Sequence, residues 1–169
     1  TNPIDMGMTT RRTLSRISGG VPWHEGALED YRKSPDNAAN GSLMRNGVVA
    51  AMADSLHDAF RITVHHGLTT HYGPLPMLCC GVQTWLLYLI LHGESPLDDG
   101  GRMTWMPAFR DDWERWLMGE EDAHVRTWRG RVDDRYERAW RTLLDTDFDP
   151  DSFSPFRVPI GPFKGYCLL

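Results

Sequence analysis

The stretch from Pro74 to Gly93 constrains this fold most, because Leu78, Val82, Trp85, Leu86, Leu89 and Ile90 leave its helical wheel apolar nearly all round. A helix of that kind has to lie among other helices. Pro74 suits its first turn, since proline has no N–H to waste there and its φ is already helical, and Gly93 suits its end. Its longest unbroken apolar run, Trp85 to Leu91, is too short to cross a bilayer. The expectation is the centre of a helical domain with no membrane partner.

The rest of the chain has to supply the cover. Residues 5–17 carry helical apolar spacing with Thr9-Thr10-Arg11-Arg12 near the start, closed by Gly19-Gly20 and a Val21-Pro22 turn. Residues 23–39 are polar, hold Pro35 and several Asp and Asn, and predict a loop with at most a short helix. From Leu43 onward, Met44, Gly47, Val48, Ala51, Met52, Ser55, Leu56 and Ala59 recur at helical spacing, which predicts one helix over 42–61. Two more are expected, over 109–118 and 123–144, the second with Val125, Trp128, Val132, Tyr136, Ala139, Trp140 and Leu143 on one side. Residues 145–164 contain Pro150, Pro155, Pro159 and Pro162, which forbid a long helix. No segment alternates long enough for a sheet, so the class is all-α, read as a single domain over 1–169.

Charge and cysteine usage narrow the function. Against 18 Lys and Arg stand 23 Asp and Glu, a formal charge of −5, which argues against a protein whose main work is gripping a nucleic-acid backbone. Arg126, Arg129, Arg131, Arg135, Arg138 and Arg141 do line one helix, but interleaved Asp133, Asp134 and Glu137 predict ion pairing on a solvated face. Cys79, Cys80 and Cys167 form neither a disulfide framework nor a spaced ligand pattern, and no charged-then-apolar leader opens the sequence. A reduced, cytoplasmic setting is expected.

Three stretches could carry chemistry. Asn37-Ala38-Ala39-Asn40-Gly41-Ser42 is a small-residue loop that runs into a helix start. Such a loop lets backbone N–H groups approach an anion, which is a phosphate-binding geometry, although Asn40 or Ser42 could simply cap the helix with Gly41 as the turn. Thr69-Thr70-His71-Tyr72-Gly73-Pro74 delivers the central helix, and His71 could be a cap, a packed residue or a ligand contact. The neighbouring His65 and His66 do not have a zinc-site spacing with it. Asp5-Met6-Gly7-Met8-Thr9-Thr10 opens the first helix, with Asp5 either capping it or pointing into a cleft. The acidic pairs Asp98-Asp99, Asp111-Asp112, Glu120-Glu121 and Asp133-Asp134 are expected on solvated faces or at helix starts, and Cys79-Cys80 as buried small residues.

Taken in order, Asp5-x-Gly7-x-Thr9-Thr10, then Asn40-Gly41-Ser42-Leu43-Met44-Arg45, then Thr70-His71-x-x-Pro74, then Gly165-Tyr166 resembles the central part of the ADP-ribosylglycohydrolases. The resemblance implies an orthogonal helical bundle and a hydrolase that removes ADP-ribose from a modified protein side chain or a related small molecule. It also implies a pair of magnesium ions. Carried over by position, Asp5 lies near the scissile bond, Ala38 to Ser42 wrap the diphosphate and ribose, and His71 contacts the substrate. Tyr166 then lines the cleft. The family's acidic metal motifs, an upstream Thr-Asp-Asp and a downstream Gly-Gly-Asp-x-Asp-Thr, do not occur in this sequence, so the magnesium ligands are expected to flank it. Ala39 stands where relatives have glycine and Met8 where many have asparagine, which bears on substrate preference. A non-catalytic ADP-ribose binder or structural relative is the alternative.

Overall fold

The computed structural model describes residues 6–37, 39–95 and 105–144. Nine helices occur among them: α1 (Met8–Ser18), α2 (Leu28–Lys33), α3 (Gly41–Asn46), α4 (Val49–Met52), α5 (Leu56–Leu68), α6 (Pro74–Leu91), α7 (Trp105–Gly119), α8 (Ala123–Arg131) and α9 (Asp133–Leu144). No strand occurs among the described residues, as the lack of alternation predicts.

Helix α6 takes the central position expected of it, packed against α3, α4, α5, α7 and α9. It begins at Pro74 and is 18 residues long with a mean hydropathy of 1.6, so by length and composition it could cross a membrane, beyond what its longest unbroken run suggests. Its first two-thirds, through Trp85, lie in the core. Around it Phe60, Phe109, Trp113 and Trp116 form an aromatic cluster with ring centroids 4.9–6.3 Å apart. Trp113 sits directly on Gly81, where a Cβ would lie 2.5 Å from its ring. The polar rims of this core are satisfied: Trp113 Nε1 donates to Tyr136 Oη at 2.8 Å, and Tyr136 Oη and Trp140 Nε1 donate to Glu114 at 2.8 and 2.7 Å. Cys79 and Cys80 are buried, as expected.

Two predicted helices are broken. The one expected over 42–61 becomes α3, α4 and α5. Asn46 ends α3 by burying its side chain, whose Nδ2 donates to Cys80 O at 3.0 Å and Thr84 Oγ1 at 2.8 Å, and Gly47 follows. Ser55 then starts α5 afresh, its Oγ accepting the Asp58 N–H at 3.1 Å. The helix expected over 123–144 breaks at Val132, with Asp133 and Asp134 opening α9. The apolar stripe survives the break, because Val125, Trp128, Val132, Tyr136, Ala139, Trp140 and Leu143 are all buried. Helix α1 starts at Met8, with Gly7 as its N-cap residue, so the start at residue 5 is corrected by one turn; Asp5 lies outside the described residues. Among its described residues the loop over 23–39 contains only the short α2, as predicted.

Charges behave as expected with two exceptions. Arg129 pairs with Asp133, Arg131 with Glu25, and Arg135 and Arg138 with Asp36, which is a solvated ion-pair face. Glu120, expected on a solvated face, is 7% exposed and accepts Trp116 Nε1 at 3.0 Å and the Asp122 N–H at 2.9 Å. Asp112, half-buried, accepts Trp85 Nε1 at 2.8 Å. Both carboxylates are held because an indole N–H needs an acceptor when it is covered. Asp98 and Asp99 lie outside the described residues.

Candidate functional site

The turn between α5 and α6 is tied down at both ends. Thr70 and His71 donate their N–H groups to Gly67 O at 3.0 and 2.8 Å, and Thr69 Oγ1 donates to His66 O at 2.7 Å. On the far side Trp128 Nε1 of α8 donates to Tyr72 O at 2.9 Å. Pro74 follows at once. Thr70, His71 and Tyr72 are therefore buried, and His71 is 5% exposed.

His71 uses one ring edge internally and presents the other. Its Nδ1 meets Thr70 Oγ1 at 2.8 Å. Its Cε1 and Nε2 face Gly41 at the start of α3: a Cβ built there would lie 3.1 and 3.4 Å from those atoms, and 3.3 Å from Thr10 Oγ1 on α1. A side chain there would have to push His71 or Thr10 back by a few tenths of an ångström, so glycine gives the closest approach. The three stretches picked out by sequence thus meet at one place. A small, open cleft of about 20 Å3 lies beside it, lined by Thr9, Tyr31, Asn37 and the Thr70–Gly73 turn, with Asp30 on its wall.

Individual candidates fare differently. Asn37 and His71 line this cleft, and Gly41 meets His71 beside it. Ala39 and Asn40 precede Gly41, half-buried, and Asn40 makes no side-chain cap of α3, so the simple capping reading fails for it. Ser42 is buried and its Oγ has no hydrogen-bond partner among the described residues, which is an orphaned polar atom beside the loop. Asp5, Ala38 and Tyr166 lie outside the described residues.

The expected helix dipole is small. Helix α3 is one and a half turns long, far from the 42–61 helix predicted, and supplies little field. Positive charge comes instead from Arg45, which sequence reasoning left as part of a motif. One turn after Gly41, its side chain returns beneath the loop. Nη1 donates to Gly41 O at 3.0 Å, Nε to His66 Nε2 at 2.9 Å, and Nη2 to His66 O at 3.1 Å, to Thr69 Oγ1 at 3.4 Å and, closest, to Thr70 Oγ1. No carboxylate among the described residues pairs with it. Burial lowers its pKa, but an arginine stays charged. Burial, then the nearby Arg45 charge, pulls the pKa of His66 and of His71 down to about 4, so both imidazoles are neutral at pH 7.

A family model described as ADP-ribosylglycohydrolase matches residues 1–164. The chain belongs to the ADP-ribosylglycohydrolase family. A search of curated proteins and one of solved structures return no match. Membership supports a hydrolase of the ADP-ribosylglycohydrolase type, built here on an all-α scaffold.

The fit of a magnesium pair to these residues is a separate matter, and it is poor. Asp30, the carboxylate on the cleft wall, is engaged by Arg16 at 2.9 Å and Arg12 at 3.4 Å. The hydrogen bond from Arg16 holds its carboxyl below the usual range, which marks a satisfied ion pair rather than an open ligand. No group of three or more His, Cys, Asp or Glu side chains among the described residues is arranged to hold a metal.

Proposed function

We propose that the Gly41–His71 cleft is the substrate cradle of a hydrolase that releases ADP-ribose from a modified protein side chain. The observation that carries this reading is the convergence of a glycine at the end of the 37–40 loop, a neutral histidine and a carboxylate-free guanidinium beside one cleft. Each favours a diphosphate. The loop allows close backbone approach, His71 offers a polar ring edge, and Arg45 supplies positive potential from beneath.

The same charge favours one end of the substrate over the other. Breaking the glycosidic bond builds positive charge on the anomeric carbon and ring oxygen, so a nearby guanidinium would oppose the transition state. Arg45 therefore belongs under the diphosphate, with the reacting carbon further along the cleft. Binding there is remote from the chemistry and holds the sugar in place for attack. Asp5 is proposed to act near the scissile bond, Tyr166 to line the cleft, and Asn37 to Ser42 to wrap the diphosphate and ribose. Magnesium, if used, is proposed to be held by carboxylates other than those described, with a cytoplasmic ADP-ribosylated protein as partner.

Calorimetry of ADP-ribose with the full-length protein tests the cradle. Binding that falls at least tenfold in His71→Ala is expected, the loss of one good polar contact. Absence of binding, or crystal density for ADP-ribose away from Asn40 and His71, would overturn it. Release of ADP-ribose from modified protein, assayed with and without magnesium, then separates the hydrolase from a binder that does not turn over.

A further inference from the structure

We propose that Arg45 is the positioning residue of this site: through Thr70 it locks His71 in the tautomer that carries its proton on Nε2, facing Gly41 and Thr10. The inference rests on the cleft being the ADP-ribose site only for its consequence, not for its geometry.

The proton count is short. A guanidinium only donates, so Thr70 Oγ1 is an acceptor toward Arg45 Nη2. A hydroxyl has a single hydrogen, and the contact open to it is His71 Nδ1 at 2.8 Å. Thr70 therefore donates to Nδ1, which must carry a lone pair. On a neutral imidazole the proton then sits on Nε2. The opposite arrangement, Nδ1–H donating to Thr70, would leave the threonine hydrogen without an acceptor among the described residues and load its oxygen with two donors. Arg45 imposes the same rule on His66, whose Nε2 accepts from Arg45 Nε at 2.9 Å and whose proton is thereby left on Nδ1.

Other groups around His71 do not upset the count. Tyr31 and Asp30 on α2 and Thr9 on α1 line the neighbouring cleft, and Asp30 is committed to Arg12 and Arg16. His66 on α5 is neutral through burial and, after it, the same guanidinium. With Nε2–H fixed, His71 is a permanent hydrogen-bond donor on the edge it turns toward Gly41, beside the cleft, and cannot serve as a base. The ligand atom it meets is an acceptor, such as a diphosphate oxygen.

Two-bond proton–nitrogen correlation spectra of the full-length protein with labelled histidine read the tautomer directly, without substrate. In the free wild type, His71 is expected to show a protonated Nε2 and a bare Nδ1 from about pH 8 down to about pH 5. Thr70→Val, which keeps the volume and removes the relay, is expected to give a mixture of tautomers and roughly tenfold weaker ADP-ribose binding. Thr70→Ser is expected to restore both. A wild-type ring protonated on Nδ1, or doubly protonated near neutral pH, overturns the lock, as does a Thr70→Val spectrum identical to wild type. A locked tautomer in a protein that fails to bind ADP-ribose by calorimetry leaves the lock standing and removes the substrate reading.

Discussion

Gly41 shows how much one hydrogen can decide. An alanine there would gain about 1 kcal/mol of helix propensity at a position α3 already holds helical. Its methyl would press on His71 Cε1 at 3.1 Å and Thr10 Oγ1 at 3.3 Å, closer than packed groups sit. His71 cannot retreat, because its backbone is bonded to Gly67 and its ring to Thr70, and Tyr72 beside it is held by Trp128. Overpacking of this kind costs about 1 to 3 kcal/mol, so Gly41→Ala is expected to lose about 1 kcal/mol net and to weaken ADP-ribose binding roughly tenfold. Denaturant unfolding and calorimetry check both, and a variant that is more stable with unchanged affinity would contradict the account. Gly41 and His71 were legible in the sequence as candidates, since their motifs have characteristic spacing. Arg45 was legible only as a letter in a motif. Its role depends on a side chain turning back one helical turn to meet a histidine 21 residues away, and no periodicity encodes that contact.

At the scale of elements, α6 is where sequence and structure agree most closely, because an all-round apolar helix has a single place to go. Its packing hinges on Gly81. A Cβ there would lie 2.5, 2.8 and 3.2 Å from three atoms of the Trp113 ring. That ring is fully buried, hydrogen-bonded to Tyr136 and flanked by Phe60 at 5.0 Å and Trp116 at 4.9 Å. Gly81→Ala is therefore expected to destabilise by about 2 kcal/mol, the overpacking cost less about 1 kcal/mol of propensity, and to lower Tm by roughly 4 to 8 °C. An unchanged Tm would mean that α6 and α7 can part at little cost. The two broken helices differ in their physical reason: between α8 and α9 the apolar stripe survives a one-residue break at Val132 because both pieces bury the same face, whereas the stripe expected over 42–61 does not survive, since Met44, Val48 and Met52 are 79%, 55% and 72% exposed. The punctuation was in the letters, as Asn46-Gly47, as the Ser55-x-x-Asp58 capping pattern and as Asp133-Asp134, but it competes with a stronger periodic signal.

For the whole molecule, the all-α class followed from the missing alternation, whereas the meeting of α1, α3 and the α5–α6 turn came only from the order of motifs that the family shares. That meeting point also governs response to acid. His66 and His71 have folded pKa values of about 4 against an ordinary 6.5, so folding favours their neutral forms. Above about pH 6.5 neither the folded nor the unfolded chain protonates them, and their contribution is complete. As pH falls from 6.5 toward 4 the unfolded chain takes up protons that the folded chain refuses, so stability is lost across that window. A lone shift of this size corresponds to about 3 kcal/mol, and because both rings share Arg45 the pair contributes less than twice that. Burial and the neighbouring His124 lower the pKa of His24 as well, and it acts in the same direction. Asp30, lowered by its bond from Arg16, loses its contribution only as pH falls through its depressed value, below the ordinary 3.8, so it responds after the histidines. Denaturant unfolding at pH 8, 6 and about 5 is expected to show stability falling before Asp30 titrates. A flat profile to pH 5 would mean that the two imidazoles are solvated, and the buried guanidinium would then lose its place beneath the cleft.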